Sequence, residues 1–187
     1  MSIPEISQAN TSVNLLSKLI PPSNRYIVVK VGDRLVTFPD VLVSEIMIIE
    51  RNTILALPFY EAAIVGVIHH QANIMPLLLL RLLMGEQRAL ITESLTVVRL
   101  SKVAADLAEN LSGKLSDKNL SGVGVIVDRV IGSLTTDEYK DIDLRNSSKK
   151  INQTVADIQK NEYTPIEIIL SSIPTHIWQP QRWQLSS

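Results

Sequence analysis

Two adjacent histidines, His69 and His70, are the first candidates for chemistry, because imidazole both ligates metals and transfers protons. Neighbouring positions on a strand point to opposite faces, and neither a cysteine nor a nearby acidic cluster completes a four-ligand set, so a shared metal is not expected. The pair reads instead as loop or edge residues, or as part of a contact surface. Carboxylate pairs can be drawn from Asp40 with Glu45, Glu45 with Glu50, or Asp128 with Asp137. None has an accompanying nucleophile or a glycine-supported pocket, so no catalytic residue is assigned. Glu45 is singled out because it interrupts the apolar run Val43, Ile46, Met47, Ile48 and Ile49. It is either a solvent-facing residue on a half-buried element or a partly buried carboxylate with a basic or amide partner, since burial without one is costly. Asp128 poses the same choice, and on a strand its neighbour Arg129 points away from it.

Other signals for bound groups are weak. No GxxxxGK[ST] phosphate loop occurs, and GVGV at Gly122 to Val125 lacks the third glycine and following helix of a dinucleotide fingerprint. A bulge or close strand packing explains those glycines better. No cofactor is expected. Trp178 and Trp183, set among prolines in THIWQPQRW, pack back on their own domain or anchor a partner, both uses resting on large apolar area.

The elements that would position these residues are mostly short β-like runs. Tyr26–Val31 and Leu35–Phe38, separated by Gly32 and Asp33, predict a hairpin. Val41–Ile49 is strand or short helix. Ile74–Leu80 is almost unbroken in apolar character, which implies burial on both sides or a passage into a helix near Arg81–Met84. Leu95–Leu100, Val123–Val130 and Thr164–Ile173 are further strand candidates. Val103, Leu107 and Leu111 recur every fourth residue and predict an amphipathic helix over 101–112, the longest expected after residue 30. Thr135–Asn161 is polar and reads mostly as loop or exposed edge. Short runs separated by glycine or proline favour a barrel or sandwich, so the fold class expected is all-β.

Composition sets the bounds. The chain has 187 residues, 45% of them hydrophobic and 20% charged, enough to fold one domain or two small subdomains around a shared core. A formal charge of -1 offers no global field for nucleic acid or acidic lipid. Without cysteine there is no disulfide or thiol chemistry. The longest apolar stretch, Ile74–Met84, is interrupted by Arg81 and falls short of the ~20 residues of a membrane helix, and the N-terminus lacks a secretory pattern. A cytoplasmic protein is expected.

Residues 25–133 resemble the CheW-like adaptor family of bacterial chemosensory systems. The resemblance runs through RYIVVKVGDRLVTFPDVLVSEIMII, ALPFYEAAIVGVIHHQANIMPLLLLRLLMG, TVVRL and GVGVIVDRVIGS. It puts Glu45 at the family's VxEI glutamate, Gly66 at the glycine before its signature loop and Asp128 at its later aspartate. His69 stands where Asn is usual, Gln71 at the usual Arg, Ala72 at the usual Gly and Leu79 at the usual Asp. Residues 101–121 look like an insertion, and the family's terminal pattern is not recognisable in YTPIEIILSSIPTHIWQPQRW. The resemblance implies two packed SH3-like β-barrel subdomains: an N-terminal extension over 1–24, a CheW-like domain over 25–174 and a C-terminal tail over 175–187.

It also implies no catalytic activity, but coupling of the cytoplasmic tip of methyl-accepting chemoreceptors to a CheA-type histidine kinase of a two-component system in chemotaxis, taxis or pilus motility. Recruitment to membrane-bound receptor arrays would follow. The alternative is a CheW-like scaffold, or a self-associating structural protein, in another assembly. Protein-binding candidates are Glu45, Met47, His69, His70, Gln71, Asn73, Trp178 and Trp183. A glutamate at position 45 that lacks the usual loop arginine should be exposed or should recruit another cation such as Arg51 or Arg81.

Overall fold

The structure is a computed structural model that describes residues 21–86, 92–104, 122–149, 163–178 and 180. In chain order its strands are β1 (Arg25–Val31), β2 (Arg34–Pro39), β3 (Val43–Glu50), β4 (Ile64–His70), β5 (Asn73–Leu79), β6 (Ser94–Leu100), β7 (Gly124–Val127), β8 (Arg129–Thr135) and β9 (Tyr163–Pro165). Its helices are α1 (Leu80–Leu83), α2 (Thr136–Lys149) and α3 (Ile166–Ser172), and Lys102–Ala104 are also helical.

The expected hairpin forms, with Val31 opposite Arg34 across a turn in which Gly32 takes φ +61°, a left-handed value that suits glycine. The four-stranded sheet reads β8-β1-β2-β9, with β9 parallel to β2. The second sheet has five strands in the order β3-β6-β7-β5-β4, with β5 and β7 parallel.

The apolar runs explain how the sheets stack. Along β6, Val97 and Val98 are both fully buried although they point to opposite faces. Val98, Leu100, Leu78 and Val125 join Val29, Val36 and Phe38 of the other sheet in the main core. Val97, Leu77, Met75, Ile68, Ile49 and Ile126 form a second core on the opposite face of the five-stranded sheet. Gly124 permits that packing, because a Cβ there would lie 2.8 Å from both Leu77 and Val97. Gly66 is more tightly constrained, since a Cβ would meet the carbonyl oxygen of Leu55 at 2.3 Å, where Leu55 bridges to Val67. Of the two expectations for Ile74–Leu80, the passage into a helix holds, at α1, whereas burial on both faces is confined to its second half, Ile74 being 72% exposed.

The all-β expectation of two SH3-like barrels is overturned. Among the described residues the fold is mixed α/β, with two sheets and four helices when helical Lys102–Ala104 is counted. Thr135–Asn161 is not mostly loop: α2 occupies Thr136–Lys149 and is the longest helix among the described residues. Its start is a capping box, in which Glu138 Oε2 accepts from the Thr135 N–H at 2.8 Å and the Glu138 N–H donates to Thr135 Oγ1 at 3.3 Å. Tyr139 stacks on Tyr26 with ring centroids 4.2 Å apart, which ties the helix to β1. Thr164–Ile173 also departs from the expected strand. Only Tyr163–Pro165 pair, after which Ile166, Ile169 and Leu170 recur at helical spacing and enter the main core from α3, joined by Ile173 just past its end. Most of the helix expected over 101–112 lies outside the described residues.

Candidate functional site

Because β3 and β4 are the two edges of the five-stranded sheet, contact between them requires the sheet to curl until its edges meet. Glu45 on β3 and His70 on β4 make that contact, at 3.0 Å between Oε2 and Nε2. An ionised carboxylate only accepts, so the proton of this bond sits on Nε2. Arg99 lies directly across from Glu45 in the β3–β6 register. Its Nη1 is 3.5 Å from Glu45 Oε2 and donates over the same distance to Gln71 Oε1. Met47 and Ile49 follow Glu45 on the same face of β3, as Val97 and Leu95 follow Arg99 on β6, and these apolar residues belong to the second core or pack against it. The four polar residues therefore cap one end of an apolar interior.

The cap is only partly closed. Side-chain exposure is 33% for Glu45, 22% for His70 and 21% for Arg99. Arg99 Nε is buried without a hydrogen-bond partner. Such a donor ordinarily costs stability. The sequence does carry a signal for Arg99: it is the single charge within the run Leu95–Leu100, as Glu45 is within Val41–Ile49. The cations Glu45 recruits are thus Arg99 and, when protonated, His70, in place of Arg51 or Arg81.

Beside the cluster, β4 and β5 are joined by the two-residue loop Gln71-Ala72, both with positive φ, 48° and 61°. This is the pattern of a type I′ hairpin, which suits Asn-Gly and costs energy with side chains of this kind. Asn73 Nδ2 donates to the Gln71 carbonyl at 3.0 Å and steadies the loop. His69 points to the other face of the sheet from His70. On that face Ile74 is 72% exposed, Ile48 74% and Ile46 42%.

Asp128 resolves its choice differently. Arg81 donates to it twice, Nε to Oδ1 at 3.0 Å and Nη2 to Oδ2 at 2.7 Å, and the Gly32 N–H donates to Oδ2 at 2.8 Å. The junction links α1, the β1–β2 turn and the β7–β8 connection. Burial alone would raise the Asp128 pKa, but the Arg81 and Gly32 hydrogen bonds outweigh it and hold the carboxyl below its ordinary value. Glu167, on α3, is the reverse case. It is 7% exposed, its Oε2 has no partner, and burial pushes its pKa up to about 7.

Of the expected binding residues, the structure therefore gathers Glu45, His70 and Gln71, with Asn73 and His69 beside them and Met47 beneath. Trp178 lies elsewhere, on the short 3-10 segment Thr175–Trp178, where it packs against the main core with Nε1 buried and unpartnered. Trp183 lies outside the described residues. Among the described residues no group of three or more His, Asp or Glu side chains could hold a metal ion, and no helix is long and apolar enough to cross a membrane.

A family model described as a CheW-like domain matches residues 25–162. The chain belongs to the CheW-like domain family. Proteins of this family generally interact with receptors and kinases, and this chain is a non-catalytic scaffold of the family. Among solved structures it is similar to the scaffolding protein TtCheW from Thermoanaerobacter tengcongensis, at 17% identity over 63% of this chain and 68% of that one, with a TM-score of 0.47. No curated protein sequence matches it.

Proposed function

We propose that this chain couples the cytoplasmic tip of a chemoreceptor to a CheA-type histidine kinase, in a bacterial chemotaxis, taxis or pilus-motility pathway, and is thereby recruited to membrane-bound receptor arrays. The observation that carries this reading is the half-open cap of Glu45, His70, Gln71 and Arg99. It combines partly exposed polar side chains with exposed Ile46, Ile48 and Ile74 on the other side of the same strands. Protein interfaces take affinity from a few apolar anchors and orientation from polar groups around them, and both kinds of group are present here. Met47, His69 and Asn73 line the same region, while Trp178 and Trp183 would belong to a second contact.

The test is titration of the purified chain with the CheW-like regulatory domain of the kinase and, separately, with the receptor tip. Gln71→Glu should leave the unfolding midpoint unchanged, because the residue is exposed, yet weaken kinase or receptor binding by about 1 to 3 kcal/mol through altered charge at the rim. His70 is a poorer probe, since an acidic replacement would face Glu45 and disturb folding. Binding to neither partner would remove the coupling role. A scaffold in another assembly would then be favoured, a reading supported by Gln71 and Ala72 at loop positions where the resembled family carries Arg and Gly.

A further inference from the structure

Three of the four sheet edges are blunted. The β3 edge carries two charges, Glu45 and Glu50, and a side-chain contact from Glu45 to His70 of β4, whose own edge is bridged at Val67 by Leu55. The β9 edge is three residues long and ends in Pro165, which has no N–H to offer. The fourth edge, β8, is different. It is seven residues long, pairs with β1 on one side, and has no strand on the other among the described residues. Six of its seven residues are exposed, including Val130 at 37% and Ile131 at 49%. Its single charge is Arg129 at the start. Open edges of this kind present a row of backbone donors and acceptors that natural proteins usually protect with charge or proline.

We infer that β8 is a self-association edge, on which two copies of this chain pair antiparallel about a two-fold axis at Gly132. An antiparallel edge is complementary to itself, so a second copy needs no further matching of hydrogen bonds. The register places Val130 opposite Leu134, Ile131 opposite Ser133 and Arg129 opposite Thr135, so no like charges meet. A net charge of -1 leaves little long-range repulsion between copies. Two features limit the strength. The Thr135 N–H is already given to Glu138, which ends the usable stretch at Leu134. Ile131 has no partner on β1, because the register shifts between Val28 and Val29, and the resulting bulge twists the edge. Association with Kd near 0.1 mM is expected, on the order of weak encounters.

The experiment is sedimentation equilibrium of the full chain from about 0.01 to 1 mM, a range that brackets such a Kd. Wild type should shift from monomer to dimer across it. Gly132→Lys and Gly132→Asp each place like charges face to face at the two-fold axis, and nothing lies within 4 Å of a Cβ built there, so both should fold. Each alone should raise Kd at least ~10-fold, and an equimolar mixture should recover dimerisation to within ~3-fold of wild type. Wild type that stays monomeric throughout, single variants that dimerise like wild type, or a mixture that stays monomeric while both variants remain folded would each overturn the proposal. Because neither kinase nor receptor enters the measurement, its failure is distinct from failure of the coupling role.

Discussion

Glu45 and Asp128 are both carboxylates that interrupt apolar runs, and each sits beside an arginine, yet one site is closed and the other is open. Asp128 uses both oxygens, held by a two-bond contact from Arg81 and by the Gly32 N–H, with side-chain exposure of 15% for Asp128 and 14% for Arg81. Glu45 receives its contacts on Oε2 alone, and the one from Arg99 is long at 3.5 Å. Arg99 still has its Nε unpartnered. A carboxylate satisfied from two sides holds elements together and has little left for a partner. A carboxylate satisfied on one side contributes less to the fold and retains capacity that an incoming surface can use.

The sharpest way to break this contrast is Arg81→Met, which strands a mostly buried Asp128. It should cost about 3 kcal/mol in urea unfolding, the magnitude seen when one partner of a buried pair is removed. A loss under about 1 kcal/mol would show that the junction is not structural.

Next in size is a pair of opposite pH effects. Asp128 has its folded pKa lowered, so its stabilisation is present above the ordinary carboxylate value and is lost as pH falls through the folded one. Glu167 has its folded pKa raised from 4.5 to about 7, so the unfolded chain ionises first. Its effect is to lower stability as pH rises across that interval, by on the order of 3 kcal/mol. Unfolding midpoints measured from acid to neutral pH on Asp128→Asn and Glu167→Gln should each lose one of these slopes. A wild-type slope retained in Glu167→Gln would assign it to another group.

Smaller effects belong to the open site. Ala72→Gly should stabilise by about 1 kcal/mol by relieving a left-handed alanine in the hairpin loop, and no change in chemical denaturation would show the loop is not strained. Arg99→Met should change stability by less than about 1 kcal/mol, because it removes a weak ion pair together with an unsatisfied donor.

Much of this contrast was legible from residue types, and the missing part has physical causes. The β1–β2 hairpin followed from β-branched runs around Gly32, and of the two explanations open for Gly124, a bulge or close packing, the structure shows close packing. α3 was missed because Ile166, Ile168 and Ile169 are β-branched and favour strand by type, while Ile166, Ile169 and Leu170 are spaced as in a helix. α2 was missed because it carries few apolar residues, although Thr135 and Glu138 form a capping box visible in the sequence. Those two elements turned an all-β expectation into a mixed fold. At the site, Glu45, His70 and Gln71 were named in advance, but pairing across a curled sheet is non-local. Adjacency therefore could not show that Arg99 would reach Glu45, or that Arg81 would go to Asp128.

The most direct test compares Arg99→Met with Arg81→Met, measuring for each the urea midpoint and the affinity for the kinase regulatory domain under conditions where the protein is fully folded. The account predicts that Arg99→Met keeps its midpoint and binds at least ~10-fold more weakly, whereas Arg81→Met loses stability and binds like wild type. Wild-type affinity in Arg99→Met, with weakened binding in folded Arg81→Met, would contradict it and move recognition to the closed junction.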